Sequence, residues 1–208
     1  MPDNNSILMF FTASILLALA PGPDNIFVLS QSIIYGRRAG FKITMGLCTG
    51  LLVHTSIVAF GVAAIFQTSL LAFNILKYAG AAYLLYLSLQ TFRSAGERVN
   101  ISQERGNPQV NLYRRGIIMN VTNPKVSIFF MAFLPQFVTP QNGAITLQFM
   151  FLGLLFIAAT VIIFGLISIL AGSIGGMLAR SSGFDRWLNI FAGTVLASLA
   201  LKLAFTER

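Results

Sequence analysis

Charge is what this 208-residue chain has least of: 10% of its residues are Asp, Glu, Lys or Arg, against roughly 25% in soluble domains. A water-facing globular surface is therefore excluded. A single cysteine, Cys48, rules out a disulfide framework, a cysteine-based metal cluster and thiol-pair redox chemistry within one chain. One histidine, His54, beside that one cysteine leaves an embedded enzyme short of a nucleophile or metal cluster. No Walker-type phosphate loop is present, so nothing points to a nucleotide as energy source or cofactor.

What is present is apolar. Hydrophobic residues make up 56% of the chain and its mean hydropathy is +0.78, which places it in a bilayer. Its length holds about six spans of ~20 residues plus connections. The net charge of +8 would suggest nucleic acid, but the bases cluster in short connections between apolar runs, which is how positive-inside topology looks.

The N-terminal apolar run, residues 7–20, resembles a signal peptide in length. It is preceded by Asp3 without a base and followed by Pro21, so it is expected to stay as helix one. Helix one spans residues 7–35 and is interrupted by Pro21, Gly22, Pro23, Asp24 and Asn25. Residues 36–42 form a tight basic turn. Helix two covers 43–66, residues 67–74 connect, and helix three covers 75–92. Residues 93–115 are a central loop, and helix four covers 116–138 with an interruption at Asn123, Pro124 and Lys125. Residues 139–143 turn the chain, helix five covers 144–171, residues 172–185 connect, and helix six covers 186–205. Connections one, three and five, with the adjoining Arg186, hold ten bases, whereas two and four hold none. Those three are expected to be cytoplasmic, with both termini outside.

The halves match in order. Pro23-Asp24 aligns with Pro124-Lys125, and Tyr78-Ala79-Gly80-Ala81 with Phe191-Ala192-Gly193-Thr194. Three crossings are an odd number, so the second copy enters from the opposite side. The fold class expected is an all-α polytopic membrane protein of six helices, an inverted 3+3 repeat with helices one and four interrupted. It forms a single domain over 1–208, with repeats at 7–92 and 116–205 and a linker at 93–115. Paired broken helices in such repeats point to a binding site near the membrane midplane.

Prolines at 21, 23 and 124 remove backbone donors where no bulk water can replace them. Gly22 and Asn123 are expected to cap the half-helices that follow, with Pro23 and Pro124 at their first positions and Asp24 and Lys125 in their first turns. An aspartate suits the positive end of a helix; a lysine does not. Lys125 needs compensation from Asp24, from an anionic substrate group, or by losing its proton. Each charge near the bilayer centre costs about 2.5–3.5 kcal/mol, so two of opposite sign in matching places suggest a pair. The plainer readings are a capping Asp24, backbone-satisfying Asn25 and Asn123, and a snorkelling Lys125. His54 is open between a buried imidazole bonded to a neighbouring helix and a proton carrier. Asn120, Tyr83, Tyr86 and Gln31 are candidate cavity groups or interhelical bonds. Gly46 and Gly50, like Gly172 and Gly176, have the spacing of close helix packing.

Four ordered motifs carry a resemblance over nearly the whole chain. They are Ala20 to Asn25, Gly36 to Gly40, Lys77 to Leu84, and Asn120 through Asn123-Pro124-Lys125 to Phe137. The chain resembles the LysE/RhtB exporter family. The resemblance implies a bacterial inner-membrane protein that exports amino acids such as lysine, threonine, homoserine or leucine, or related metabolites. Together these readings give a substrate site of Asp24, Asn25, Asn120, Asn123 and Lys125, in which Asp24 takes the ammonium and Lys125 the carboxylate. Proton antiport is the expected coupling, with Asp24 as first carrier and His54 as second. The partners expected are an amino-acid substrate, the proton, the lipid bilayer and a second copy of the chain, without nucleic acid, metal or cofactor. A passive channel and a metal or other cation exporter of the wider superfamily are the alternatives, although the latter would need a second intramembrane acid.

Overall fold

Prolines, a few glycines and three side-chain caps decide where these helices begin and bend. The structure, a computed structural model, describes residues 1–20, 22–62, 70–94, 111–178 and 182–205, all regular elements among them being helical. Helix α1, Asn4–Leu19, starts behind Asp3, whose carboxylate accepts from the Ser6 amide at 2.8 Å and the Ser6 hydroxyl at 2.9 Å. These bonds hold the Asp3 carboxyl below its usual pKa. The chain then breaks, and α2, Pro23–Tyr35, leaves at 59° to α1.

Gly36 reverses the chain alone, with φ of 80°, a left-handed value that favours glycine. Helix α3, Arg37–Ile57, follows at once and ends in a π-helical turn, Val58–Val62. The expected basic turn over 36–42 is therefore one residue long, and Arg37, Arg38 and Lys42 are exposed on the first turns of a helix. Helix α4, Leu70–Arg93, takes up part of the expected 67–74 connection. Most of the expected central loop lies outside the described residues. Arg114 and Arg115 do not belong to it, because Asn111 caps α5, Leu112–Val121, through the Arg114 amide.

After a second bend of 50° comes α6, Pro124–Ile128, prolonged by a π-helical turn at Phe129–Phe133 and a 3-10 turn at Leu134–Phe137. Helix α7, Ile145–Leu178, runs seven residues past its expected end, and α8, Ser182–Phe205, starts four residues early. The intervening Gly- and Ser-rich sequence resembles a loop in water, yet small residues are good helix partners between apolar segments.

Two single helical stretches, Arg37–Gly61 and Ile145–Ala171, are long and apolar enough to cross a membrane, and counting each bent pair as one span gives up to four. The uninterrupted apolar part of α8 is shorter, Asn189–Phe205. Large apolar side chains such as Leu52, Ile57, Leu154, Ile162 and Leu201 face outward, as an apolar solvent allows.

Helix α3 packs on α5 and α7, α4 packs on α8, and α1 and α2 both lie against α7. Glycine sets the closest of these contacts: the Cα of Gly116 lies against Gly46, and a Cβ at Gly46 would overlap the Tyr113 carbonyl oxygen. Phe10, Phe129, Phe133, Phe137 and Phe156 fill the core on the side of α1 that precedes the break, with neighbouring ring centroids 4.8–6.5 Å apart.

A backbone carbonyl cannot yield as a side chain tip can. Gly46→Ala is therefore expected to destabilise the protein by about 1–3 kcal/mol, the usual range for overpacking, seen as a lower melting temperature in detergent. Gly61→Ala, with open space around the added methyl, is the control and should leave that temperature unchanged.

Candidate functional site

Both half-helices start as the register of prolines predicts. Gly22 caps α2 and Pro23 opens it, while Asn123 caps α6 by accepting from the Lys125 amide at 3.0 Å with Pro124 at the first position. Pro21 lies outside the described residues. The caps place Asp24 and Lys125 in the first turn of each half-helix, where both are buried, at 4% and 8% exposure.

The expected ion pair between them is not formed. The Lys125 ammonium donates instead to the carbonyls of Ala20 at 2.8 Å and Leu17 at 3.4 Å. The reason lies in the break. Leu17 would ordinarily bond the amide of residue 21, which is a proline without an N–H. The end of α1 thus presents orphaned carbonyls and the negative end of a helix dipole, and a cation compensates both. Asn25 serves the same end by donating to the Ala18 carbonyl at 2.7 Å. Gly22 makes room, since a Cβ there would stand 3.1 Å from Lys125 Nζ.

Asp24 makes the reciprocal reach. Its Oδ2 accepts from Asn120 Nδ2, near the end of α5, at a long 3.5 Å. Gly50 lets α5 come close, for a Cβ there would lie 2.6 Å from Asn120 Oδ1. His54 Nε2 lies 3.1 Å from the Asn120 carbonyl, and because a carbonyl only accepts, Nε2 carries the hydrogen. The buried imidazole thus takes the interhelical bond that was one of its two expected readings, on the backbone of Asn120, the same residue whose side chain reaches Asp24.

Several of these groups surround a small cavity of about 20 Å3, room for about one water molecule. Asp24, Asn25, Asn120 and Lys125 line it, and α7 closes the far side with Phe156, Thr160 and Phe164. Tyr83, Tyr86 and Gln31 are not among its lining; Tyr86 is exposed on α4 and accepts from Gln90 Nε2 at 2.9 Å. The α7 wall has no counterpart in the sequence reading.

Polar atoms around the cavity are left without partners. They are Asp24 Oδ1, Asn25 Oδ1, Asn120 Oδ1 and Thr160 Oγ1, while Asn123 Nδ2, also unpartnered, is on a residue outside the lining. The bond each asparagine does make fixes which of its atoms remains free. The free set on the lining therefore includes three acceptors and one hydroxyl. Orphaned buried polar groups are costly unless a ligand or water meets them.

Comparison with known proteins places the chain. The sequence profile of the family described as "LysE type translocator" matches residues 15–207. A homoserine/homoserine lactone efflux protein of Salmonella typhimurium is 39% identical over 158 residues, 74% of each chain. The protein of the same name from Salmonella typhi is equally similar. An uncharacterized membrane protein of Vibrio cholerae is 29% identical over 197 residues, 95% of each chain. No solved structure matches.

The Asn123 cap offers a direct check on the second break. Asn123→Ala should cost about 1 kcal/mol and lower the melting temperature in detergent, whereas Asn123→Asp, which keeps the accepting oxygen, should restore most of it. Equal losses in both variants would mean that the cap contributes nothing.

Proposed function

The chain belongs to the LysE type translocator family, and from that premise we propose that it is a secondary active exporter of small zwitterionic amino acids, homoserine among them, working by proton antiport. The observation that carries the reading is the cavity between the two broken helices, where a buried acid and a buried base face the same space without pairing.

A zwitterion matches the free atoms in number and kind, once the small cavity widens to admit it. Its ammonium has three N–H donors, and the cavity offers three free acceptors on Asp24, Asn25 and Asn120. Its carboxylate accepts from Lys125, which exchanges two carbonyl partners for a charged one. Charge-assisted bonds of this kind are about twice as strong as neutral ones, which offsets uncovering the α1 carbonyls.

Antiport follows from competition for Asp24. A substrate ammonium and a proton both neutralise the carboxylate, and they cannot do so together. When the site faces outward a proton displaces the ammonium and the substrate leaves; when it faces the cytoplasm the proton leaves and the next substrate enters. His54, linked to Asn120 through the backbone, is the second candidate carrier.

The six-span inverted repeat, one domain over 1–208, is part of the same proposal. Its support is the pairing of counterparts: α3 packs on α7 and α4 on α8, Gly80 approaches Leu203 near the end of α8, and Gly193 approaches Phe92 near the end of α4. The basic ends of α4 and α8 are tied by Asn189, which donates to the Ser94 carbonyl at 2.9 Å. The opposite face joins the Met1 ammonium to the Asn142 carbonyl at 2.6 Å. We assign the basic ends to the cytoplasm of a bacterial inner membrane and the termini to the periplasm.

The test is export of labelled amino acids from loaded proteoliposomes, with and without a pH gradient. Wild type should export homoserine faster with protons supplied outside. Asp24→Asn should lose at least about tenfold of that flux, the effect of one charge-assisted bond. Gradient-driven export that survives unchanged in the variant would falsify the assignment of Asp24.

A further inference from the structure

Hydroxyl groups on apolar helices usually fold back onto the carbonyl four residues earlier, and this protein follows the rule almost throughout. Buried Ser14 donates to Phe10, Thr44 to Gly40, Thr55 to Leu51 and Ser168 to Phe164, at 2.7–2.9 Å. Thr160, on the same helix as Ser168 and only 2% exposed, does not bond the Phe156 carbonyl or any other group. Among the described residues Ser32 is the other buried hydroxyl without a partner, but it packs beside Gly40 and Ser168 and does not line the cavity. Thr160 does line it, on the wall facing the half-helix breaks.

The two residues one turn away on that stripe, Phe156 and Phe164, also line the cavity. The far wall is thus a pair of aromatic side chains with one free hydroxyl between them. Asp24 and Lys125 already match the two charges of an amino acid backbone, so a third polar group on the opposite wall meets whatever the side chain presents.

We propose that Thr160 is the specificity-determining residue of the site, bonding an oxygen at the end of a short substrate side chain whose carbons lie against Phe156 and Phe164. This rests on the exporter reading above and deepens it. The substrate class is a small amino acid with a two-carbon stem ending in a hydroxyl or an equivalent oxygen. A basic side chain does not fit, because Asp24 is the one carboxylate lining the cavity and the α-ammonium occupies it. A purely aliphatic side chain leaves the Thr160 hydroxyl buried and unbonded, which is the strongest basis for rejecting an isostere.

Homoserine and norvaline differ at the tip by a hydroxyl against a methyl, and the ratio of their export rates from loaded proteoliposomes reads the interaction directly. Wild type should favour homoserine. Thr160→Val, which keeps the shape and removes the hydroxyl, should lower that ratio by about tenfold or more, and Thr160→Ser should restore it. An unchanged ratio in Thr160→Val overturns the assignment. So does an equal fall for both substrates, which would make Thr160 a packing residue, or a wild type that exports other amino acids but does not prefer homoserine. If wild-type protein exports no amino acid under a proton gradient, the exporter reading itself fails and this proposal with it.

Discussion

The contact on which the rest of the site depends is the one between the Lys125 ammonium and the carbonyls that close α1. Proline at position 21 removes the donor that Leu17 would have used, and no water is available at that depth to replace it. A cation from the other broken helix fills the gap. That single requirement brings the start of α6 to the end of α1, keeps a glycine at position 22, and leaves Asp24 facing the cavity with one oxygen unbonded. Asp24 could not copy the arrangement at the end of α5, because a carboxylate repels carbonyl oxygens. An amide side chain, Asn120, takes the place of the bare backbone there.

The surroundings of the cavity are unequal. Toward the α1 side lies a packed set of phenylalanines that includes Phe10, Phe129 and Phe137, all almost fully buried. Beyond α2's first turn lies a second apolar cluster that includes Phe27, Val28, Ile43, Leu47 and Phe164, with the Arg115 guanidinium 4.4 Å over the Phe27 ring. Two π-helical turns, at Val58–Val62 and Phe129–Phe133, continue the helices that carry His54 and Lys125. Such turns leave the regular i to i−4 ladder and are frequent at functional sites.

The breaks could be read from sequence because proline, glycine and asparagine state their backbone roles locally. Gly22, Pro23, Asn123 and Pro124 stand where the register puts them. Element ends were less legible. Three bases in seven residues after Gly36 look like a loop, yet one left-handed glycine is enough to reverse the chain, and the bases extend into water from a helix. The partner of Lys125 was hidden for a different reason: an orphaned carbonyl belongs to no residue type, and only the missing N–H of Pro21 pointed to it. Thr160 itself gave no sign of a role, since a threonine in an apolar helix normally satisfies itself. The Phe156, Thr160, Phe164 spacing, one turn apart, was its only trace.

Gly36 has one more consequence. With a single residue between α2 and α3, there is no spare length of chain through which α2 could slide past its neighbour. The two helices can pivot about that point, but neither can advance along its axis without pulling the other. Asp24, twelve residues along from Gly36, is thereby held at a fixed depth, as if on a measured rod anchored at the basic face. In the exporter proposed above, the carboxylate would change which side it opens to while keeping its distance from the Gly36 pivot, so the barriers would be rearranged around a stationary site.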